Sequence, residues 1–366
     1  MSYMHMCSNL NTRGEVLIMK SILLEKKIGF HLRISLKEDV EPLLYSLEEF
    51  LLKRGVNCLV LEINTGYQFT NHSELSEGTL SKAEANQIVD VAKKFGVEII
   101  PLFECLGHQG WGGAPNSLLR VYPEFDETPH IPYEAKWPEI YCRSWCASND
   151  DVYKVVFSLI DEMIEDFEPR YFHVGMDEVF IIADDNCPRC RGKEKAKLFT
   201  DVVNRLYNHI KIEKGIELMV WGDRLLNSQT TGYSQWEADK FGIWPAIDMI
   251  PKDVIIADWH YESMKEYVSV EYFLNKGFKI WPSCWKDKNA AKKFFEYAIS
   301  KAKQLNKLQL LFGFLITGWN LTGRSIYEVV KNFEDYKNGK EIPEKLKDTF
   351  DVLDTLDTVY NYVFRN

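Results

Sequence analysis

Eight short apolar runs rich in β-branched residues recur along this chain, and amphipathic stretches with helical periodicity separate most of them. The runs are Ile28–Ile34, Asn57–Ile63, Val97–Phe103, Tyr171–Gly175, Glu217–Trp221, Val254–Trp259, Phe278–Ser283 and Leu311–Thr317. Helical patterns cover Val40–Lys53, Lys82–Phe95, Asp151–Phe167, Lys193–Glu213, Ser269–Lys276 and Asn289–Leu305. Gly55, Gly96, Gly215 and Gly277 stand between a helix and the next strand, where a C-cap glycine belongs. Parallel strands need crossover connections, so this alternation predicts an α/β chain with a parallel sheet. Eight units favour closure into a (β/α)8 TIM barrel, and no Gly-x-Gly-x-x-Gly follows a strand to mark an open dinucleotide fold. A length of 366 residues suits one such barrel with long loops. We expect an N-terminal extension over residues 1–27 and a single barrel domain over 28–366, with Ile342–Tyr362 as a closing helix.

The balance of charge narrows the partners. A formal net charge of −10 and a pI near 5.4 leave no basic stripe for nucleic acid or an anionic membrane. The cluster Lys193, Lys195 and Lys197 reads as the solvated face of a helix. No stretch approaches the ~20 apolar residues of a membrane helix. The apolar segment Val16–Leu24 is broken by Lys20 and precedes no small-residue cleavage site, so no signal peptide is expected. The eight cysteines are scattered, several within apolar strand-like runs, as buried free thiols are. Together these features predict a cytoplasmic protein. Cys187-Pro188-Arg189-Cys190 is a lone C-x-x-C without the second pair or added histidines of most zinc sites, so no metal and no cofactor is expected.

Polar and aromatic residues gather at or just after the ends of the predicted strands: Glu62, Glu104, His108, Asp177, Glu178, Trp221, Asp223, Asp258, His260, Trp285, Trp319 and Asn320. In a barrel these ends form the C-terminal face, where active sites are built. The connection from Glu104 to Asp150 is very long and carries Trp111, Tyr122, Phe125, Trp137, Tyr141 and Trp145. Such a loop over a barrel mouth is expected to form a wall or lid. Ten tryptophans suit either plain packing or a site that stacks flat apolar faces, of which a sugar ring is one.

The most informative stretch is Tyr171-Phe172-His173-Val174-Gly175-Met176-Asp177-Glu178-Val179. A strand of alternating character ends there in two adjacent acids. On a regular strand they would point to opposite faces, but where the chain turns out of the strand both can be aimed into the mouth. Adjacent carboxylates do not readily flank a sugar as acid and nucleophile. They can instead divide labour, one protonating the leaving oxygen while the other holds a substrate group that attacks.

His173-Val174-Gly175-Met176-Asp177-Glu178 resembles the H-x-G-[GC]-D-E motif of glycoside hydrolase family 20, the β-N-acetylhexosaminidases. The likeness continues in order along the chain. Ile100 to His108 resembles the family's third-strand segment ending in Gly-His, Met219-Val220-Trp221-Gly222-Asp223 its fifth-strand V-W-x-D, and Gly318-Trp319 its eighth-strand tryptophan. Glu62 and the Asp177-Glu178-Val179 ending look closest to the hexosaminidase D branch and related bacterial proteins. The resemblance implies a retaining exo-β-N-acetylhexosaminidase acting on a carbohydrate with terminal β-linked GlcNAc or GalNAc. It makes Glu178 the general acid/base and Asp177 the residue that orients and polarises the substrate acetamido group, whose oxygen attacks the anomeric carbon to give an oxazolinium ion. His108, Glu104, Glu62, Trp221, Asp223, Trp259, Tyr261, Trp285, Trp319 and Arg33 are the expected substrate-binding residues, with Tyr141 an alternative to Tyr261 as donor to the acetamido oxygen.

Three positions depart from the family pattern. The first-strand arginine falls on Leu36, with Arg33 three residues earlier as a substitute; Asn320-Leu321 replaces the eighth-strand glutamate; and Met176 replaces Gly or Cys. Two other readings stay open at this point. One is a metal-dependent barrel hydrolase or isomerase using His31, His108, His173 and His260 with Glu62, Glu104, Asp177 and Asp258. The other is a carbohydrate-binding barrel with weak or lost turnover.

Overall fold

The structure, a computed structural model, describes residues 25–364, so the expected extension and the Val16–Leu24 segment lie almost wholly outside the described residues. Eight strands close a barrel: β1 (Lys27–Arg33), β2 (Cys58–Glu62), β3 (Glu98–Cys105), β4 (Tyr171–Gly175), β5 (Glu217–Trp221), β6 (Ile255–Trp259), β7 (Lys279–Cys284) and β8 (Gly313–Ile316). Every neighbouring pair is parallel, and β8 returns to β1 with Lys27 opposite Gly313 and Phe30 opposite Ile316. Each predicted strand is present, within about two residues at most ends. The four helix-to-strand glycines all take left-handed backbone, with φ between 68° and 87°.

Strand alternation separates two cores. Cys58, Val60, Ile100, Leu102, Met219, Trp221, Ile255, Ala257, Trp281 and Leu315 fill the barrel's interior. Their neighbours in sequence, such as Leu59, Leu61, Leu218, Val220 and Ile256, face outward into the layer shared with the helices. A parallel sheet covered on both faces reads as continuous apolar strands, and β2, Cys-Leu-Val-Leu-Glu, is buried at every position.

The helices depart from the expected bounds in informative ways. Lys82–Phe95 is as predicted, entered through a Ser81/Glu84 capping box. The patterns over Val40–Lys53 and Lys193–Glu213 break, however, into α-helix followed by wider π-type turns at Leu47–Leu51 and Asn208–Glu213. Between β5 and β6 only short helical turns form, at Asp223–Leu225, Ser228–Thr231 and Trp244–Asp248. There the buried Asp239 carboxylate accepts from the backbone N–H groups of Phe241, Gly242, Ile243 and Trp244 at 2.6–3.0 Å. A side chain thus satisfies donors that a helix would have used. The predicted closing helix runs over Lys347–Phe364.

The interior is closely filled around Gly29. A Cβ added to Gly29 on β1 would lie 2.3 Å from Cζ2 of the fully buried Trp281 on β7. Gly29→Ala should therefore destabilise the protein by ~1–3 kcal/mol through overpacking. Adding Trp281→Phe, which withdraws the clashing ring edge, should cost less in that background than in the wild type. Urea melts of the two single variants and the double variant measure this coupling; strictly additive effects would contradict it.

Candidate active site

The mouth of the barrel at the C-terminal ends of the strands holds a cavity of about 450 Å³. Arg33, Glu62, Glu104, His108, Asp177, Glu178, Trp259, Tyr261, Trp285 and Trp319 all line it, together with Asn64, Trp111, Tyr141 and Asn320. Ten of the twelve predicted site residues are thus brought together from β1, β2, β3, β4, β6, β7 and β8 and the loops that follow them.

The two acids share the cavity because the chain leaves β4 through an unusual backbone. Gly175, Met176 and Glu178 have φ of 64°, 77° and 46°. The turn breaks strand alternation, so Asp177 and Glu178 approach the cavity from one wall. Gly175 is needed twice over: its φ is left-handed, and a Cβ there would fall 1.8 Å from Oε2 of Glu104. At the end of β3 the chain does the same, with Leu106 and His108 at φ of 65° and 53°. This aims the His108 ring at the pair, with Nε2 3.3 Å from Oδ2 of Asp177 and 3.4 Å from Oε2 of Glu178.

Asp177 is 6% exposed, and burial alone would push its carboxyl up; the His108 charge and hydrogen bonds from His108 and Glu104 instead hold it below the usual range. Burial works against a charge on His108 as well, but Asp177 outweighs it and keeps the imidazole well above its ordinary value. Glu104 moves the opposite way. Burial, then the Asp177 charge, raises its carboxyl well above the usual range. The Asn64 side chain fixes this residue by accepting from the Glu104 backbone N–H at 2.8 Å.

Glu178 is held from behind. Its backbone N–H donates to Oδ2 of Asp223 at 2.9 Å, and the buried Arg224 donates to the same oxygen at 2.6 Å. Burial pushes the Asp223 carboxyl up to about 6 despite that arginine. On the cavity side burial, together with the nearby Glu178 charge, raises the Tyr141 phenol. Tyr141 belongs to the aromatic wall expected of the long loop, packing edge-on against Trp111 and Trp236 with ring centroids 5.6 and 5.0 Å apart. Across the cavity Tyr261 stacks on Trp259, stands 5.7 Å from Trp285 and accepts from Nε1 of Trp319 at 2.7 Å. Nε1 of Trp285 is buried with no hydrogen-bond partner among the described residues. At the far rim Nη2 of Arg33 donates to Oε1 of Glu62 at 2.8 Å, and the buried His31 lies 3.5 Å from its other oxygen.

Two expected substrate contacts are corrected. Trp221 and Asp223 do not line the cavity: Trp221 is wholly buried in the barrel interior against His173, and Asp223 sits beneath the floor as the anchor of Glu178. The ring of histidines and carboxylates considered for a metal does not assemble either. Nδ1 of His31 and of His173 accept backbone N–H groups, and His260 is enclosed by Glu237, Ser269 and Asp258. Among the described residues only His108, of those four histidines, belongs to a group with metal-ligand spacing.

The comparisons with known proteins agree with this architecture. The model of the glycosyl hydrolase family 20 catalytic domain matches residues 60–309, and the chain belongs to that family. Hexosaminidase D of Bos taurus is 23% identical over 203 residues, covering 52% of this chain and 54% of the relative. The lacto-N-biosidase of Bifidobacterium bifidum is 24% identical over 190 residues, covering 49% of this chain and 14% of that protein. The chain thus spans about half, or much less, of the curated relatives it matches. The chitobiase of Flavobacterium johnsoniae shares the fold with a TM-score of 0.58 at 18% identity, over 92% of this chain and 51% of the other.

The Asp177–His108 pair sets a pH dependence. His108 titrates above its ordinary 6.5 in the folded state, so its contribution is fully present below 6.5 and lost as pH rises through the folded value. Asp177 titrates below its ordinary 3.8, so its contribution is present above 3.8 and lost as pH falls through its own folded value. Between those limits the pair is complete. Asp177→Asn should destabilise the protein most in that interval, with the difference from wild type shrinking as pH rises beyond it. Denaturant melts of both proteins from weakly acidic to alkaline pH measure this, and a pH-independent difference would contradict it.

Proposed function

We propose that this chain is a retaining exo-β-N-acetylhexosaminidase that removes terminal β-linked GlcNAc or GalNAc by substrate-assisted catalysis. The observation that carries the reading is the placing of two adjacent acids on one wall of an aromatic cavity, both within 3.4 Å of the same histidine nitrogen. Acids on one wall are suited to different parts of a substrate rather than to opposite faces of its anomeric carbon.

In this reading Glu178, held by Asp223 through its backbone N–H, protonates the departing glycosidic oxygen and later takes a proton from water. Asp177, kept ionised by His108 and Glu104, accepts from the acetamido N–H and stabilises the positive charge that develops as the acetamido oxygen attacks the anomeric carbon. Interaction with charge that exists only near the transition state lowers the barrier rather than merely tightening binding. Water opens the resulting oxazolinium ion with retention. Trp259, Tyr261, Trp285 and Trp319 enclose the acetamido group and the apolar sugar face, with Trp285 Nε1 as a free donor. Arg33, held by Glu62, and Asn320 suit the sugar hydroxyls and take the place of the family's usual arginine and glutamate. Leu36, at the register of the family arginine, is absent from the cavity wall.

The substrate class, the boundary of one catalytic domain over residues 28–366 and a cytoplasmic setting belong to the same proposal. The cytoplasmic setting is supported by seven buried free cysteines among the described residues. No helix among those residues is long and apolar enough to cross a membrane.

The test is hydrolysis of 4-nitrophenyl β-N-acetylglucosaminide and β-N-acetylgalactosaminide beside the plain β-glucoside and β-galactoside. Turnover should be confined to the N-acetyl sugars. Glu178→Gln should lower kcat by ~10²–10⁴-fold, as loss of a general acid does, and Asp177→Asn by ~10²–10³-fold. Comparable turnover of the plain glycosides would remove the acetamido role and the mechanism with it.

A further inference from the structure

The lone C-x-x-C motif is not alone in space. Glu127, Cys146, Cys187 and Cys190 place one ligand atom each within 4.8 Å of one another, and all four residues are buried. The Cys146 sulfur is 3.5 Å from that of Cys187 and 3.3 Å from that of Cys190. A disulfide requires ~2.05 Å, so these spacings are too long for a bond between sulfurs. They are close to the ~3.8 Å edge of a tetrahedron with zinc–sulfur bonds of ~2.3 Å.

The fourth member separates this cluster from thiols that are merely packed together. Glu127 is 1% exposed, one carboxylate oxygen accepts from the Asp184 N–H at 2.9 Å, and the other is buried with no partner. No lysine, arginine or histidine among the described residues forms an ion pair with it. A carboxylate in a dry pocket without a cation is costly.

The local backbone is built to hold the four groups. Asp126 bridges Trp145 in antiparallel fashion, and the Glu127 N–H donates to the Ser144 carbonyl, which sets Glu127 beside Cys146 at the base of the long aromatic loop. The other two sulfurs come from a tight turn in which the Arg191 and Lys193 N–H groups donate to the Cys187 and Cys190 carbonyls.

We propose that Cys146, Cys187, Cys190 and Glu127 form a tetrahedral site for a structural zinc ion. Three soft sulfurs and a carboxylate match zinc's preferences, and with all four positions supplied by protein the site has none open for chemistry. Its place in the fold gives it a task. It fastens the loop bearing Trp111 and Tyr141 to the connection that begins with Asp177-Glu178, the two strands of chain that form the acid's surroundings. A chelator would then lower hydrolysis by loosening these loops, although no metal takes part in the reaction.

The test uses the full chain, with any affinity tag removed, and zinc alone as the probe. Elemental analysis after gel filtration should find about one zinc per chain, retained in Glu178→Gln. Competition with a chromogenic chelator should show affinity in Cys146→Ser and Cys190→Ser reduced by more than the ~10–100-fold typical of losing an outer-shell partner. Cobalt loaded into the wild-type chain should give sulfur-to-metal charge-transfer absorption and tetrahedral ligand-field bands, which requires no variant to fold. Zinc held with undiminished affinity in the cysteine variants and lost in Glu178→Gln would overturn the proposal by moving the metal to the His108–Asp177–Glu178 group. A chain that takes up neither ion, or in which Cys146 is disulfide-bonded, would overturn it as well.

Discussion

One ionised carboxylate buried at the barrel mouth, Asp177, organises most of what surrounds it. A charge removed from water must be met by oriented partners, and here the His108 imidazole and the Glu104 carboxyl, both raised well above their ordinary values, meet it. Those partners require special backbone. His108 reaches Asp177 from a left-handed residue, and Glu104 fits against Gly175 because that position has no side chain. Non-glycine residues rarely adopt left-handed backbone, yet Leu106, His108, Met176 and Glu178 do so at two adjacent strand ends. Such strain persists where packing over-determines it, as the enclosing aromatic wall and long loop do here.

The barrel supplies the rigid support. Trp221 fills the interior directly below the mouth, in contact with His173 and Trp319 at centroid distances of 4.5 and 5.3 Å. Asp223 and Arg224 follow it, and through the backbone N–H of Glu178 they set the position of the second acid. The placement of Glu178 thus rests on groups that do not line the cavity. Removing them would affect the reaction through geometry alone.

The strands were legible in the sequence because a parallel barrel buries both faces of each one and leaves uninterrupted apolar runs. The placing of Asp177 and Glu178 at the mouth was legible because the pair stands where the chain leaves a strand. Trp221 was misplaced by treating a strand-end tryptophan as wall, although its alternation with Met219 already assigned it to the interior. Asn64 donates to Glu62 and accepts from the Glu104 backbone 40 residues away, a long-range bridge that left no local signal. Arg33 reaches the cavity at the end of β1, where its side chain donates to Glu62. Glu127 and Cys146 meet the C-x-x-C turn only after two long loops close, a relation that spacing along the chain does not encode.

The central claim is that the substrate's own acetamido oxygen attacks, guided by Asp177. The most direct measurement is kcat/KM across 4-nitrophenyl N-acylglucosaminides whose acyl methyl carries zero, one, two or three fluorines. Fluorine withdraws electrons from the amide oxygen while changing its size little. The account predicts a steep, progressive fall in rate along the series. A flat dependence would contradict it, because a protein carboxylate or water attacking the anomeric carbon would be nearly indifferent to the basicity of that oxygen.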